Sequence, residues 1–315
     1  MSWETVLNQA VLVSLLAGTL RLSTPIVFAA IGEILTERAG ILNLGVEGIM
    51  LMGAFAGFWG AFHTGNLWVG TLLGMAVGAL MAFLMAFFSV TLRVDQVISG
   101  MGIYFLGLGL SSFLYRITFG IRISPPTVEG FQDLPIPLLN RIPVLGPILF
   151  QHNALVYLAI LLVPLSVLVL YRTTFGLQVR AAGENPRAAD TLGVNVNLIR
   201  YLCVVLGGVL VGLGGVVLSV AHLRMFWENM TVGRGFIAIA IVYFGKWHPY
   251  RTFAGALLFG GAYALQVWLQ AMNAPVPHQL LLMFPYLLTV AVLAVVAREA
   301  KGPTALGVPF RRGEY

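Results

Sequence analysis

The chain has 315 residues, 59% of them hydrophobic and only 10% charged, with a mean hydropathy of +0.91. This excludes an ordinary soluble domain and indicates an all-α polytopic membrane protein. The formal charge of +6, from 18 basic and 12 acidic residues, calls for no nucleic acid, because basic loops in a membrane protein record orientation.

The N-terminus, M-S-W-E-T-V-L-N-Q-A, has neither a basic leader nor a small-residue cleavage motif, so the first apolar run is expected to stay as a helix. Runs long enough to cross a core of roughly 30 Å lie near 6–20, 24–37, 42–62, 67–92, 95–115, 153–171, 199–221, 232–245, 251–271 and 280–297. About ten transmembrane helices are expected, with nine as the alternative count. The first two runs form a hairpin on the first count. The runs at 24–37 and 232–245 are short or broken by Gly and Pro, as in the interrupted helices that line transport paths.

The segment from Gly32 to Gly48 places Glu33, Glu37, Arg38 and Glu47 between apolar flanks, and so holds a quarter of the acidic residues. Ionisable groups at membrane depth are costly and usually line a cavity or pathway. A broken helix is expected, with its gap near Gly40–Gly45. Glu33 and Glu37 share one helical face, as do Asn43 and Glu47 beyond the gap. Carboxylates and an amide in a protected cleft suit sugar hydroxyls and the donor edges of a base. The alternative is that Glu37 and Arg38 mark the cytoplasmic boundary and that Glu33 and Glu47 close ion pairs inside the bundle. Phe236 and Phe244, in the second short run, are candidate stacking partners for a base, or packing residues.

Two long connections follow. Residues 116–152 carry six prolines and read as an ordered extracytoplasmic cap. Residues 172–198 read as a cytoplasmic loop in which Gly183 stops one helical piece, Asn185 caps the next with Pro186 at its first position, and Gly193 ends it. So short a helix, 186–192, must pack on its own bundle or on a partner. Residues 298–315 form a tail. With both termini cytoplasmic, twelve Arg and Lys lie inside and six, namely Arg21, Arg116, Arg122, Arg141, Arg224 and Arg234, outside; Arg298 is among the inner group.

The sequence has no G-x-x-x-x-G-K-[ST] phosphate loop, its five histidines form no metal-binding pair, and its single cysteine, Cys203, lies in an apolar run. No bound cofactor, metal or catalytic group is expected. Pairs such as Gly53/Gly57, Gly74/Gly78 and Gly208/Gly212 are packing signatures.

The string A-A-I-G-E-I-L-T-E-R-A-G-I-L-N-L-G-V-E-G-I-M-L-M-G-A at 29–54 resembles permease subunits of bacterial ABC importers, in the superfamily of branched-chain amino-acid, ribose-type sugar and nucleoside permeases. Segments 94–116, 175–194 and 233–249 resemble further signatures in the same order, and the likeness runs from about 25 to about 297. The E-R-A-G-x-x-N-L-G-x-E-G form is most similar to the nucleoside, or simple-sugar, branch. The resemblance implies a plasma-membrane importer with a separate cytoplasmic ATPase that uses ATP, an extracytoplasmic binding protein and a second permease, a paralogue being favoured over an identical copy. It also implies that 175–194 docks on the ATPase, with Arg180, Gly183, Glu184, Asn185, Pro186, Arg187 and Asp190 at the contact. An ion-coupled carrier using Glu33 or Glu47, and an ABC permease for branched-chain amino acids or simple sugars, are the alternatives.

Overall fold

A computed structural model describes residues 9–120, 124–272, 277–296 and 301–312. Arg122, Arg298, the His278 side chain and the expected span and tail positions at 6–8, 297–300 and 313–315 lie outside the described residues.

Helix α1 runs without a break from Gln9 to Arg38. The two runs expected as a hairpin are therefore one helix. Pro25 lies inside it and cannot donate to the carbonyl four residues back. The helix nevertheless continues, with the hydroxyls of Ser23 and Thr24 both donating to the Leu20 carbonyl at 3.0 and 2.8 Å. Arg21 does not mark a turn: its guanidinium reaches 3.6 Å to Asp133 in the proline-rich connection. At the other end Arg38 reaches Glu184 in the second long connection, at 3.9 Å. α1 thus crosses from one face of the protein to the other.

The remaining elements are α2 (Val46–Thr64), α3 (Leu67–Ala86, prolonged by a wider turn over Phe87–Thr91) and α4 (Gln96–Phe119). In the proline-rich connection, β1 (Asp133–Pro135), α5 (Leu145–Leu149) and β2 (Gln151–Asn153) follow, the strands antiparallel with Leu134 opposite His152. Next come α6 (Ala154–Arg172), α7 (Thr174–Glu184), α8 (Pro186–Thr191) and α9 (Val196–Val216, prolonged over Val217–His222). The chain ends in α10 (Arg234–Phe244), α11 (Pro249–Ala271) and α12 (His278–Val296). Among the described residues six helices are long and apolar enough to cross a membrane: α1, α3 with its extension, α4, α6, α9 with its extension, and α11. With α2, α10 and α12, nine apolar helices are present among the described residues, the lower of the two expected counts.

α9 is the centre of the bundle, wrapped by α1, α2 and α3. Lipid tails are as apolar as leucine, so helices in a bilayer gain by approaching closely. A side chain on Gly53 would sit 2.5 Å from the Gly212 Cα, and one on Gly78 would sit 2.4 Å from the Gly208 carbonyl oxygen, so these backbones are in direct contact. On the proline-rich face, Arg116 grips Glu228 with two bonds of 2.7 and 2.8 Å, and His152 is buried with its Nε2 2.7 Å from the Ile148 carbonyl. Burial is the main influence on the His152 ring and lowers its pKa below 6.5.

Candidate functional site

Helix α1 ends at a left-handed glycine. Gly40 has φ of +89°, and the Gly40 and Ile41 amides donate back to the Glu37 and Thr36 carbonyls, the glycine-terminated closure common at helix ends. The chain then stays non-helical until Val46. Unwound backbone in a membrane protein must find partners inside the protein. Here side chains supply them: Leu42 donates to Gln96 Oε1 at 2.7 Å, Asn43 to Glu33 Oε1 at 3.2 Å, and Gly45 to the Asn43 side-chain oxygen at 3.0 Å. The gap expected near Gly40–Gly45 is present, and two of the expected polar residues, Glu33 and Asn43, hold it in shape.

Glu47 lies beyond the gap, in the first turn of α2, and points across to α10. Its Oε1 accepts from the Thr231 hydroxyl and the Gly233 amide, and its Oε2 from the Gly235 amide, all at 2.6 Å. The N-terminus of α10 has no side-chain cap of its own, because Gly233 occupies that position. Orphan amides and the positive end of the helix dipole favour a carboxylate there. Gly235 makes the approach feasible, since a side chain on it would lie 2.6 Å from the Glu47 backbone.

The opposite end of α10 is held by the other side of the gap. The indole nitrogen of Trp247, among the largest fully buried side chains, donates to Glu37. Both ends of α10 therefore rest on acids of the broken segment, Glu47 at one and Glu37 at the other. Left-handed backbone flanks it on both sides: Val232 and Gly233 at φ of +46° and +79°, Lys246 and Trp247 at +51° and +55°. For non-glycine residues such conformations cost about 1–3 kcal/mol each and persist where surrounding contacts enforce them.

The acids differ in how fully they are paired. Glu33, Glu37, Glu47 and Asn43 are at most 1% exposed. Glu33 Oε2 and Glu37 Oε1 find no donor from the rest of the chain, and the two carboxyls lie within hydrogen-bond reach of each other, whereas both Glu47 oxygens take donors from across the gap. Phe236 and Phe244 do not come together. Phe236 meets Tyr104 of α4 edge-on, with ring centroids 5.3 Å apart, and is half-buried. Phe244 packs against Gly255 of α11 and lines a cavity of about 20 Å³ with Ile241, Leu258, Phe259 and Thr289.

On the face of α7 and α8, Asn185 caps α8 through a bond from the Ala188 amide at 3.1 Å, Pro186 occupies its first position, and Gly193 is left-handed at φ +85°. Gly183 lies so close to the end of α1 that a side chain would collide with the Arg38 carbonyl. Arg180 stacks over Tyr171 at 5.2 Å, and Arg187 is exposed. Glu184 and Asp190 have partners within this chain: Glu184 binds Arg38 and Thr304, and Asp190 pairs with Arg312 at 3.3 Å. Sequence reasoning passed over Trp247, Thr231, Arg200 and the tail. The G-R-G string at 233–235 and a lone arginine within N-L-I-R-Y-L-C were the available signals for two of these places.

Residues 15–293 match the model of the family described as branched-chain amino acid transport system / permease component. The chain belongs to that permease family. It is 40% identical over 310 residues to a provisionally named glucose ABC transporter permease protein of Haloferax volcanii, covering 91% of this chain and 93% of that one. It is 38% identical over 309 residues to a guanosine ABC transporter permease protein of Bacillus subtilis, covering 94% and 96%. A nucleoside ABC transporter permease protein of Lactococcus lactis is also 38% identical, over 306 residues, with the same coverage. The protein is thus a membrane-embedded permease, the transport component of an ABC system and not its ATPase.

Proposed function

We propose that this permease forms part of the path by which an ATP-driven importer takes up nucleosides or closely related sugar-containing solutes. The observation that carries this reading is the end-to-end likeness to permeases named for guanosine, nucleosides and glucose. The interrupted helices α1–α2 and α10, locked together at both ends by buried acids, fit it, because such breaks mark the moving centre of transport bundles. On this reading a cytoplasmic ATPase engages α7 and α8, a binding protein meets the proline-rich cap, and a second, paralogous permease completes the path in a bacterial cell membrane. With α7, α8 and the tail cytoplasmic, α1 begins on the outer side, so the merging of two expected spans into one moves the N-terminal end out of the cytoplasm.

Solute passes beside α4 and α10, where half-buried Phe236 and Tyr104 offer ring faces to a base. Asn43, Glu33, Glu37 and Glu47 are closed off here and meet the path only when the gap opens. The Glu33 and Glu37 carboxyls, which face each other here, then accept from ribose hydroxyls. Phe244 contributes packing.

The test is gentle purification of the tagged chain from its native membrane, mass spectrometry of what accompanies it, and uptake of labelled nucleosides by the reconstituted complex. An ATPase, a second permease and a binding protein, with ATP-dependent nucleoside uptake that falls severalfold in Phe236→Ala, are expected. A chain that arrives alone and transports under a proton or sodium gradient would overturn the reading.

A further inference from the structure

Residues 301–312 contain neither helix nor strand, and a segment of that kind stays ordered only where it is tied down. Its ties reach α7, α8, α9, the break after α1 and the turn after α10. The Ala305 amide donates to the Gly183 carbonyl at 2.9 Å, in the last turn of α7. Thr304 donates to Glu184 Oε2 through its hydroxyl at 3.0 Å and its amide at 3.3 Å. The Gly307 amide donates to the Gly40 carbonyl at 3.2 Å, at the break after α1. Arg312 pairs with Asp190 of α8 at 3.3 Å. Gly302 lies against the Trp247 ring, whose indole holds Glu37.

Arg200, at the foot of α9, closes the arrangement. Its side chain is 1% exposed, and it donates to the Ala39 carbonyl at 3.2 Å and the Val308 carbonyl at 3.1 Å. The guanidinium thus caps the C-terminal end of α1, where a cation is favoured, and fixes the tail to it in one step. Phe310 and Ala305 are buried, so the tail is packed as well as bonded.

We infer that residues 302–312 are a strap that transmits displacement of α7 and α8 to the break at Ala39–Gly45 and to α10, with Thr304, Glu184 and Arg200 as positioning residues for the transport step. This rests on the ATP-driven reading above. On this reading Glu184 and Asp190, bonded to Thr304 and Arg312 of the strap, hand displacement on to the bundle, while Arg187 is exposed toward a partner.

The experiment uses the complete importer in liposomes and measures solute taken up per ATP hydrolysed, together with co-purification of the ATPase and thermal stability. Thr304→Val keeps the shape but removes the hydroxyl donor to Glu184; Thr304→Ser restores it. The strap predicts a fall of about two- to thirtyfold in the uptake-to-ATP ratio for Thr304→Val, with normal assembly, and recovery in Thr304→Ser. An unchanged ratio overturns it. So does a loss of stability or assembly with an unchanged ratio in the complexes that form, because the contact is then only a brace. If the wild-type complex shows no ATP-dependent uptake, it is the importer reading that fails. A coupled wild type beside a coupled Thr304→Val variant rejects the strap alone.

Discussion

Two ends of one short helix are held by acids from the same broken segment, yet the two attachments differ. At the N-terminal end of α10, Glu47 accepts three hydrogen bonds of 2.6 Å, two from backbone amides, and has no oxygen to spare. At the C-terminal end, Glu37 accepts from Trp247, and its neighbour on the other side is the Glu33 carboxyl one turn earlier. Glu47 is an anchor, matched to the dipole and orphan amides of a helix start. Glu33 and Glu37 instead lean on each other, with no donor from elsewhere in the chain for the oxygens left over.

The comparison breaks most visibly at Glu47. Glu47→Ala strands three donors, and at about 1–3 kcal/mol for each the variant is expected to lose the folded permease, read as loss of the purified complex or a steep fall in Tm. Gly235→Ala places a methyl 2.6 Å from the Glu47 backbone and should cost about 1–3 kcal/mol; a Tm equal to wild type would show that α2 and α10 have room to part. Trp247→Phe removes the donor to Glu37 and leaves a smaller ring in a fully buried place, and is expected to cost about 1–3 kcal/mol of stability and to lower the maximal uptake rate more than the apparent affinity. Asn43→Ala removes the acceptor for the Gly45 amide, with a stability cost near 1 kcal/mol and reduced uptake by a complex that still assembles. The smallest effect is expected of Phe244→Leu, a packing change beside a 20 Å³ cavity, for which uptake should stay within about twofold of wild type.

Much of this was legible in the chain. Apolar runs gave most of the spans, the acids among glycines gave the break, and Asn185, Pro186 and Gly193 gave the short helix with its cap and its end, because caps and left-handed glycines act locally. The junction at 21–25 was misread for a physical reason: a charge and a proline ordinarily mark a turn, and here the charge finds Asp133 across the surface while the helix continues through the proline. The partners of Glu47 were invisible because two of the three are backbone amides nearly 190 positions away. The strap was invisible for the same reason, since its contacts to Gly183 and Gly40 run between main chains and leave no mark on side-chain identity.

The most direct test of the contrast is to substitute Glu47→Gln and Glu37→Gln separately, each nearly isosteric, and to measure Tm and ATP-driven uptake on the same complexes. Glu47→Gln turns an amide group toward donors that need an acceptor, so a clear loss of Tm is expected, with uptake falling in step with the folded fraction. Glu37→Gln should leave Tm close to wild type while uptake falls. If Glu47→Gln keeps its Tm, or Glu37→Gln loses as much stability as Glu47→Gln, the division between the Glu47 anchor and the Glu33–Glu37 pair is wrong.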